Sequence, residues 1–316
     1  MQNEFITMKR YLLAFIPIAA AAIVGAVRFG STKPIDQESF EALYDTPASG
    51  PETSQNVFHL GHSLIGPDIP VMLKQLAGSE HTYSSQLGWG TTLKAHWEPE
   101  EPINGFELRS MPDRYGDAKE AISSGDYNTL ILTEMVEIRD AIKYFDSGKY
   151  LYQWSNLARQ SNQDIRIFFY ETWHPLDDEE GWLERLDKDL ERYWEKEILR
   201  RALAYEEEPE AIYLVPAGQV MAKFVREVES RGGVGPVRDR NDLFSDTIHL
   251  SDFGNYLVAL THYAVIYQSS PVGLPYELLN AEGADIENPG PEVAKLMQET
   301  VWDVVQQNPR TGLPRN

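Results

Sequence analysis

Three residues of this 316-residue chain have the types and order that acyl-transfer chemistry needs. Ser63 closes the run Val57-Phe58-His59-Leu60-Gly61-His62-Ser63-Leu64, an apolar strand pattern entering a Gly-x-Ser turn. Asp246 and His249 stand three apart in Asp246-Thr247-Ile248-His249-Leu250-Ser251, just ahead of an apolar helical stretch. A serine hydroxyl is a poor nucleophile until a base takes its proton, and the base needs a group that fixes its tautomer. On this reading His249 is base and then acid, Asp246 orients it, and Ser63 attacks. Each motif alone has a plainer meaning. Gly-x-Ser occurs in many turns, and Asp-x-x-His can be a helix cap beside a surface histidine. A metal site begun by Asp246 and His249 lacks further residues at ligand spacing.

Positioning such residues takes a rigid frame. From Gln55 onward, short apolar runs alternate with longer helical patterns, the mark of α/β organisation. Strands are expected at 56–61, 82–88, 128–133, 165–170 and 211–215. Helices are expected at 67–78, 116–123, 137–160, 180–204, 217–230, 253–268 and 291–306. In the helix at 180–204, Trp182, Leu186, Leu190, Tyr193 and Ile198 would form the buried stripe. Ser63 then falls between a strand and a helix, at the edge where open α/β sheets bind ligands, and a helix N-terminus there favours a developing oxyanion.

Composition narrows the function. A hydrophobic content of 42% supports a packed core. A net charge of −21 argues against nucleic-acid partners and against a basic face on anionic lipid. With no cysteine, thiol catalysis, disulfides and cysteine-based zinc sites are excluded. Lys9 and Arg10 precede an apolar run from Tyr11 to Val27, the layout of a secretory signal or signal anchor. The expected organisation is therefore a membrane-directing segment at 1–30, a Ser/Thr/Pro-rich linker at 31–54, one domain at 55–308 and a frayed tail at 309–316. The domain is expected outside the cytoplasm, periplasmic or extracellular.

Ser63 near the start of the domain and Asp246-x-x-His249-Leu250-Ser251 near its end, followed by Gly254 and an apolar helix, resemble the first and last blocks of the SGNH (GDSL-like) hydrolases, a superfamily of serine esterases and lipases. The resemblance runs in order over residues 55–270, with the two end blocks the specific ones. It implies a flavodoxin-like three-layer α/β/α domain with a central parallel sheet, a Ser63–His249–Asp246 triad and no cofactor. The first block departs from the family by carrying His62 where an Asp or Asn is usual, and His62 is given no role.

The resemblance also implies an oxyanion hole made by the Ser63 backbone N–H, a glycine after the second strand and an asparagine after the third. The glycine maps onto Gln86-Leu87-Gly88-Trp89-Gly90-Thr91-Thr92-Leu93, with Gly90 favoured over Gly88 and a His96-Trp97 pair following. The asparagine is missing: the third strand ends in Thr133-Glu134-Met135-Val136. A charged Glu134 facing an oxyanion would oppose it, by on the order of 4 kcal/mol at about 4 Å. Either Glu134 points away and Thr133 donates, or Glu134 is protonated and donates, or the site is impaired. Trp89, Glu134 and Trp173 are the candidate substrate contacts, and Trp89, Trp97 and Trp173 would offer an aromatic surface to a sugar ring or acyl group. The expected activity is hydrolysis of an ester, with short acyl groups on a saccharide as the example. Two other readings stand beside it: a membrane-anchored saccharide O-acyltransferase of the same fold, and a non-catalytic glycan- or partner-binding member.

Overall fold

The computed structural model describes residues 32–51, 54–98, 100–105 and 114–314. Five strands, β1 (Gln55–His62), β2 (His81–Gly88), β3 (Thr129–Leu132), β4 (Arg166–Glu171) and β5 (Tyr213–Pro216), form one sheet in the order β2-β1-β3-β4-β5. Every pairing is parallel. The strands are near-continuous apolar runs because helices cover both faces of the sheet. This is a three-layer α/β/α fold with the flavodoxin-like strand order.

The helices are α1 (Gln37–Ala42), α2 (Asp68–Ala77), α3 (Leu93–Trp97), α4 (Ala118–Ser123), α5 (Ile138–Phe145), α6 (Ser147–Ser161), α7 (Trp182–Asp189), α8 (Arg200–Leu203), α9 (Ala217–Ser230), α10 (Asp252–Tyr267) and α11 (Gly290–Gln307). Alternate strand residues feed two cores. Val57, Ile131, Phe168 and Tyr170 pack under α2, α9, α10 and α11. Phe58, Leu60, Leu130 and Phe169 pack under the helices of the other layer, including α6.

Several expectations are corrected. The single helix expected at 137–160 is two, because Asp146 takes a left-handed conformation (φ 52°) between α5 and α6. Between α7 and α8 the chain forms a π-helix, Leu190–Leu199. Its wider turn rotates the inward face, so Trp194 is buried against Phe169 while Leu190 and Tyr193 are only partly covered.

The stretch expected to be a linker carries α1, capped by Asp36, with Phe40 buried and the Tyr44 hydroxyl donating to the Ile212 carbonyl. Of the tail expected to fray, the described residues 309–314 pack. Arg310 lies over the rings of Phe40 and Tyr44, and the Ala48 N–H donates to the Gly312 carbonyl at 2.9 Å. Among the described residues no helix is long and apolar enough to cross a membrane. The apolar run at 11–27 lies outside them.

Candidate active site

β1 delivers Ser63 to the carboxyl edge of the sheet, between β2 and β3, where the strand order reverses direction. That crevice is where open parallel sheets place their ligands. Across it, the turn before α10 brings in the acid and the histidine. His249 Nε2 lies 3.1 Å from Ser63 Oγ, and His249 Nδ1 lies 2.7 Å from Asp246 Oδ2. With Nδ1–H donating to the carboxylate, Nε2 carries the lone pair that accepts the serine proton.

Asp246 is held by more than the imidazole. Its Oδ1 accepts the backbone N–H groups of Ile248 and His249 at 2.8 and 2.7 Å. Loss of water raises its pKa, but the two N–H bonds and the His249 ring outweigh that and bring it down to about 2. The carboxylate is therefore ionised and ready to stabilise an imidazolium. The loop carrying both residues is pinned to the segment after β4: the Trp173 indole N–H donates to the Ile248 carbonyl at 2.8 Å, and the Leu176 N–H donates to the Thr247 carbonyl at 2.8 Å.

A cavity of about 310 Å3 opens at the serine, lined by His62, Ser63, Leu64, Trp89, Gly90, Val136, Ile248 and His249. Gly90 adopts φ +52°, a left-handed conformation open to glycine. Among the described residues, neither the Ser63 nor the Gly90 backbone N–H has an acceptor. Two unused donors on one cavity wall are what an oxyanion hole requires.

Other expected site residues sit elsewhere. The Thr133 hydroxyl is buried and donates to the Tyr170 carbonyl at 2.8 Å, and its N–H is taken by the Leu60 carbonyl. Thr133 is thus no oxyanion donor. Glu134 is buried and is not among the residues that line the cavity. Its Oε1 accepts the N–H groups of Met135 and Leu93 at 2.8 and 3.3 Å, tying the end of β3 to the start of α3. Burial raises its pKa to about 7 against those bonds. Trp173 is buried and serves as the pin described above rather than as a substrate wall. Trp97 packs edge-on against Trp154, with ring centroids 4.8 Å apart.

Two histidines that had no assigned role brace the nucleophile. His62 Nδ1 accepts the Leu64 N–H at 3.3 Å, and its Nε2–H donates to the Glu134 carbonyl at 2.8 Å. Burial drops its pKa to about 4, so it is a neutral strut between the serine turn and the β3 loop. His96 bonds the Gly61 carbonyl through Nε2 at 2.8 Å and Gln86 through Nδ1 at 2.9 Å, and burial likewise lowers it to about 4. Only His62 stands beside the serine in the sequence; His96 is far from the turn and nothing in the sequence linked it to Gly61. Val136 and Ile248, which wall the cavity, gave no signal, since an apolar residue carries no chemical mark.

Behind the site, between the sheet and α10, lie three more buried histidines. His59 and His262 have ring centroids 6.2 Å apart, and His81 Nδ1 is 2.7 Å from the Tyr267 hydroxyl. Among the described residues, both ring nitrogens of His59 and the Nε2 atoms of His81 and His262 have no partner. Burial lowers all three pKa values, to about 4 for His81 and His262.

No family model matches the chain, and no curated protein matches it in sequence. Among solved structures it is similar to a DUF4886 family protein from Bacteroides uniformis, at a TM-score of 0.53 and 13% identity, covering 80% of this chain and 95% of that one. It is also matched, at a TM-score of 0.43 and 12% identity, to a "putative GDSL-like lipase" from Parabacteroides merdae, covering 70% of this chain and 99% of that one. A third match is a gut microbial diltiazem-metabolizing enzyme, at a TM-score of 0.37 and 12% identity, covering 71% of this chain and 49% of that one. At these identities the likeness is one of fold.

Proposed function

We propose that the protein is a serine esterase that hydrolyses uncharged carboxylic esters with short acyl groups. The observation that carries this reading is the continuous Ser63–His249–Asp246 relay, with links of 3.1 and 2.7 Å, opening on a cavity with two unused backbone donors. The resemblance of the Ser63 block and the Asp246-x-x-His249 block to the end blocks of the SGNH hydrolases supports it as well.

In this mechanism Ser63 Oγ attacks the ester carbonyl while His249 Nε2 takes its proton. The carbonyl oxygen gains the charge and is met by the Ser63 and Gly90 N–H groups, each such donor being worth roughly 3–4 kcal/mol of transition-state stabilisation. The intermediate collapses as His249 returns the proton to the departing alkoxide, leaving an acyl-serine. Water then repeats the sequence, with its proton passing to His249 and on to Ser63. Glu134, whose charge would oppose an oxyanion, is not among the residues that line this cavity, which supports the reading.

The test is hydrolysis of a short-chain activated ester by the protein beside Ser63→Ala and His249→Ala. Loss of turnover in both variants, with unchanged melting, is the expected result. Turnover in Ser63→Ala equal to that of the parent would sink the proposal. The Lys9-Arg10 pair and the apolar run after it support a domain working outside the cytoplasm. Recovery of the full chain only in the cytosolic fraction would count against that.

A further inference from the structure

One large side chain on the wall of the serine cavity is unused by the acyl-transfer steps. Trp89 follows β2 directly and lines the cavity with Ser63 and Gly90, yet it is 49% exposed. An indole left half in water forgoes hydrophobic stabilisation that a buried position would supply. Its placement is nonetheless fixed. The Trp89 backbone N–H donates to the Asn104 carbonyl at 2.6 Å. The indole lies against Gly105, at φ +67°, where an added Cβ would overlap Cγ, Cδ2 and Cε2 of the ring. Glycine at 105 thus lets the main chain back the indole directly.

The remaining lining fixes the chemistry of a ligand. Leu64, Val136 and Ile248 are apolar. His62 is held neutral, so among the described residues no side chain lining the cavity outside the triad carries a charge to pair with an ionic substrate. A volume of about 310 Å3 is at the lower end of the roughly 300–1,000 Å3 typical of small-molecule sites.

We propose that Trp89 is a stacking platform for a ring carried by an uncharged ester substrate, either an aryl ring or the C–H face of a sugar ring. The electron-rich indole face attracts the positively polarised edges of C–H groups and stacks offset on aryl planes. A ring seated there lies next to the carbonyl that Gly90 and Ser63 receive, so Trp89 selects ring-bearing esters over simple alkyl esters. The inference rests on the esterase reading above.

The test compares phenyl acetate, a 6-O-acetylated methyl glucoside and ethyl acetate as substrates of the parent, Trp89→Ala and Trp89→Phe. In parallel, calorimetry measures binding of the same esters to Ser63→Ala with and without Trp89→Ala. The expected result is a fall in kcat/KM about tenfold greater for a ring-bearing ester than for ethyl acetate in Trp89→Ala, with most of the preference kept in Trp89→Phe. Loss confined to phenyl acetate assigns the platform to aryl rings, and loss confined to the acetylated glucoside assigns it to sugars. An equal change for all three esters, or none, overturns the inference. Weaker ring-ester binding in the double variant, with no turnover by the parent, would support the platform and remove the esterase reading alone.

Discussion

The indole nitrogen of Trp173 and the carbonyl oxygen of Ile248 are joined by a 2.8 Å hydrogen bond, one residue ahead of the histidine that faces Ser63. A buried side chain just after β4 therefore sets the height of a loop whose proposed catalytic side chains are half in water. His249 and Asp246 keep 35% and 54% of their side-chain surface. Their geometry is maintained from below. Trp173→Phe keeps the ring packing and removes only the donor. Stability should fall by about 1 kcal/mol, the cost of losing a part-buried hydrogen bond. The kcat should fall with little change in KM. Urea unfolding and steady-state kinetics on one ester check both, and a rise in KM alone would contradict the pinning role.

Asp246→Asn tests the orienting carboxylate. An amide can present its N–H to His249 Nδ1 and stabilise the wrong tautomer, so kcat should fall on the order of 10³–10⁴-fold. With the acid's pKa near 2, the parent should show no loss attributable to Asp246 between pH 4 and 8. A pH–rate profile with an acid limb that vanishes in Asp246→Asn would contradict this assignment.

Glu134→Gln should retain activity, because a glutamine Oε1 can accept the same Leu93 and Met135 N–H groups. Glu134→Ala leaves both N–H groups unmet and should lower stability and turnover together. The charge also predicts a pH effect. The folded pKa, raised to about 7, exceeds the ordinary carboxyl value of 4.5, so the folded state holds the proton longer. Stability from this group is full below about pH 4.5 and declines as pH rises toward 7. Thermal melts of the parent and Glu134→Gln across pH 4–8 should converge at the acid end and separate in favour of Gln at the basic end.

The buried histidines act with the opposite sign. His59, His81 and His262 have folded pKa values below their ordinary 6.5, so the unfolded chain takes up protons first. Their contribution is full above about pH 6.5 and is lost as pH falls through the folded values, about 4 for His81 and His262. His59→Phe should flatten the acid limb of a melting-temperature profile. An unchanged acid limb in a folded variant would show that His59 is not buried neutral.

The strands were legible in the sequence because a doubly covered parallel sheet writes itself as short apolar runs, and Ser63, Asp246 and His249 because their chemistry is particular. Orientation was the harder matter. An aromatic at the end of a strand can face a cavity or the core, and Trp89 and Trp173 take opposite answers at similar positions. Trp194 replaced Tyr193 as the inward ring because a π-helix breaks the 3.6-residue period on which the stripe was read. The helix at 37–42 was hidden because Phe40 is its single buried residue, too little to make a period. The expected role of Thr133 failed for a reason no sequence displays, namely that Tyr170 offers it a carbonyl.

The packing of Arg310 on Phe40 and Tyr44, with Gly312 bonded to Ala48, has a consequence for how the chain folds. The helix at 37–42 completes its seat only when residues 310–312, far along the chain, have folded against it. Closure of the domain at this edge is therefore a long-range folding step that joins two distant stretches of chain.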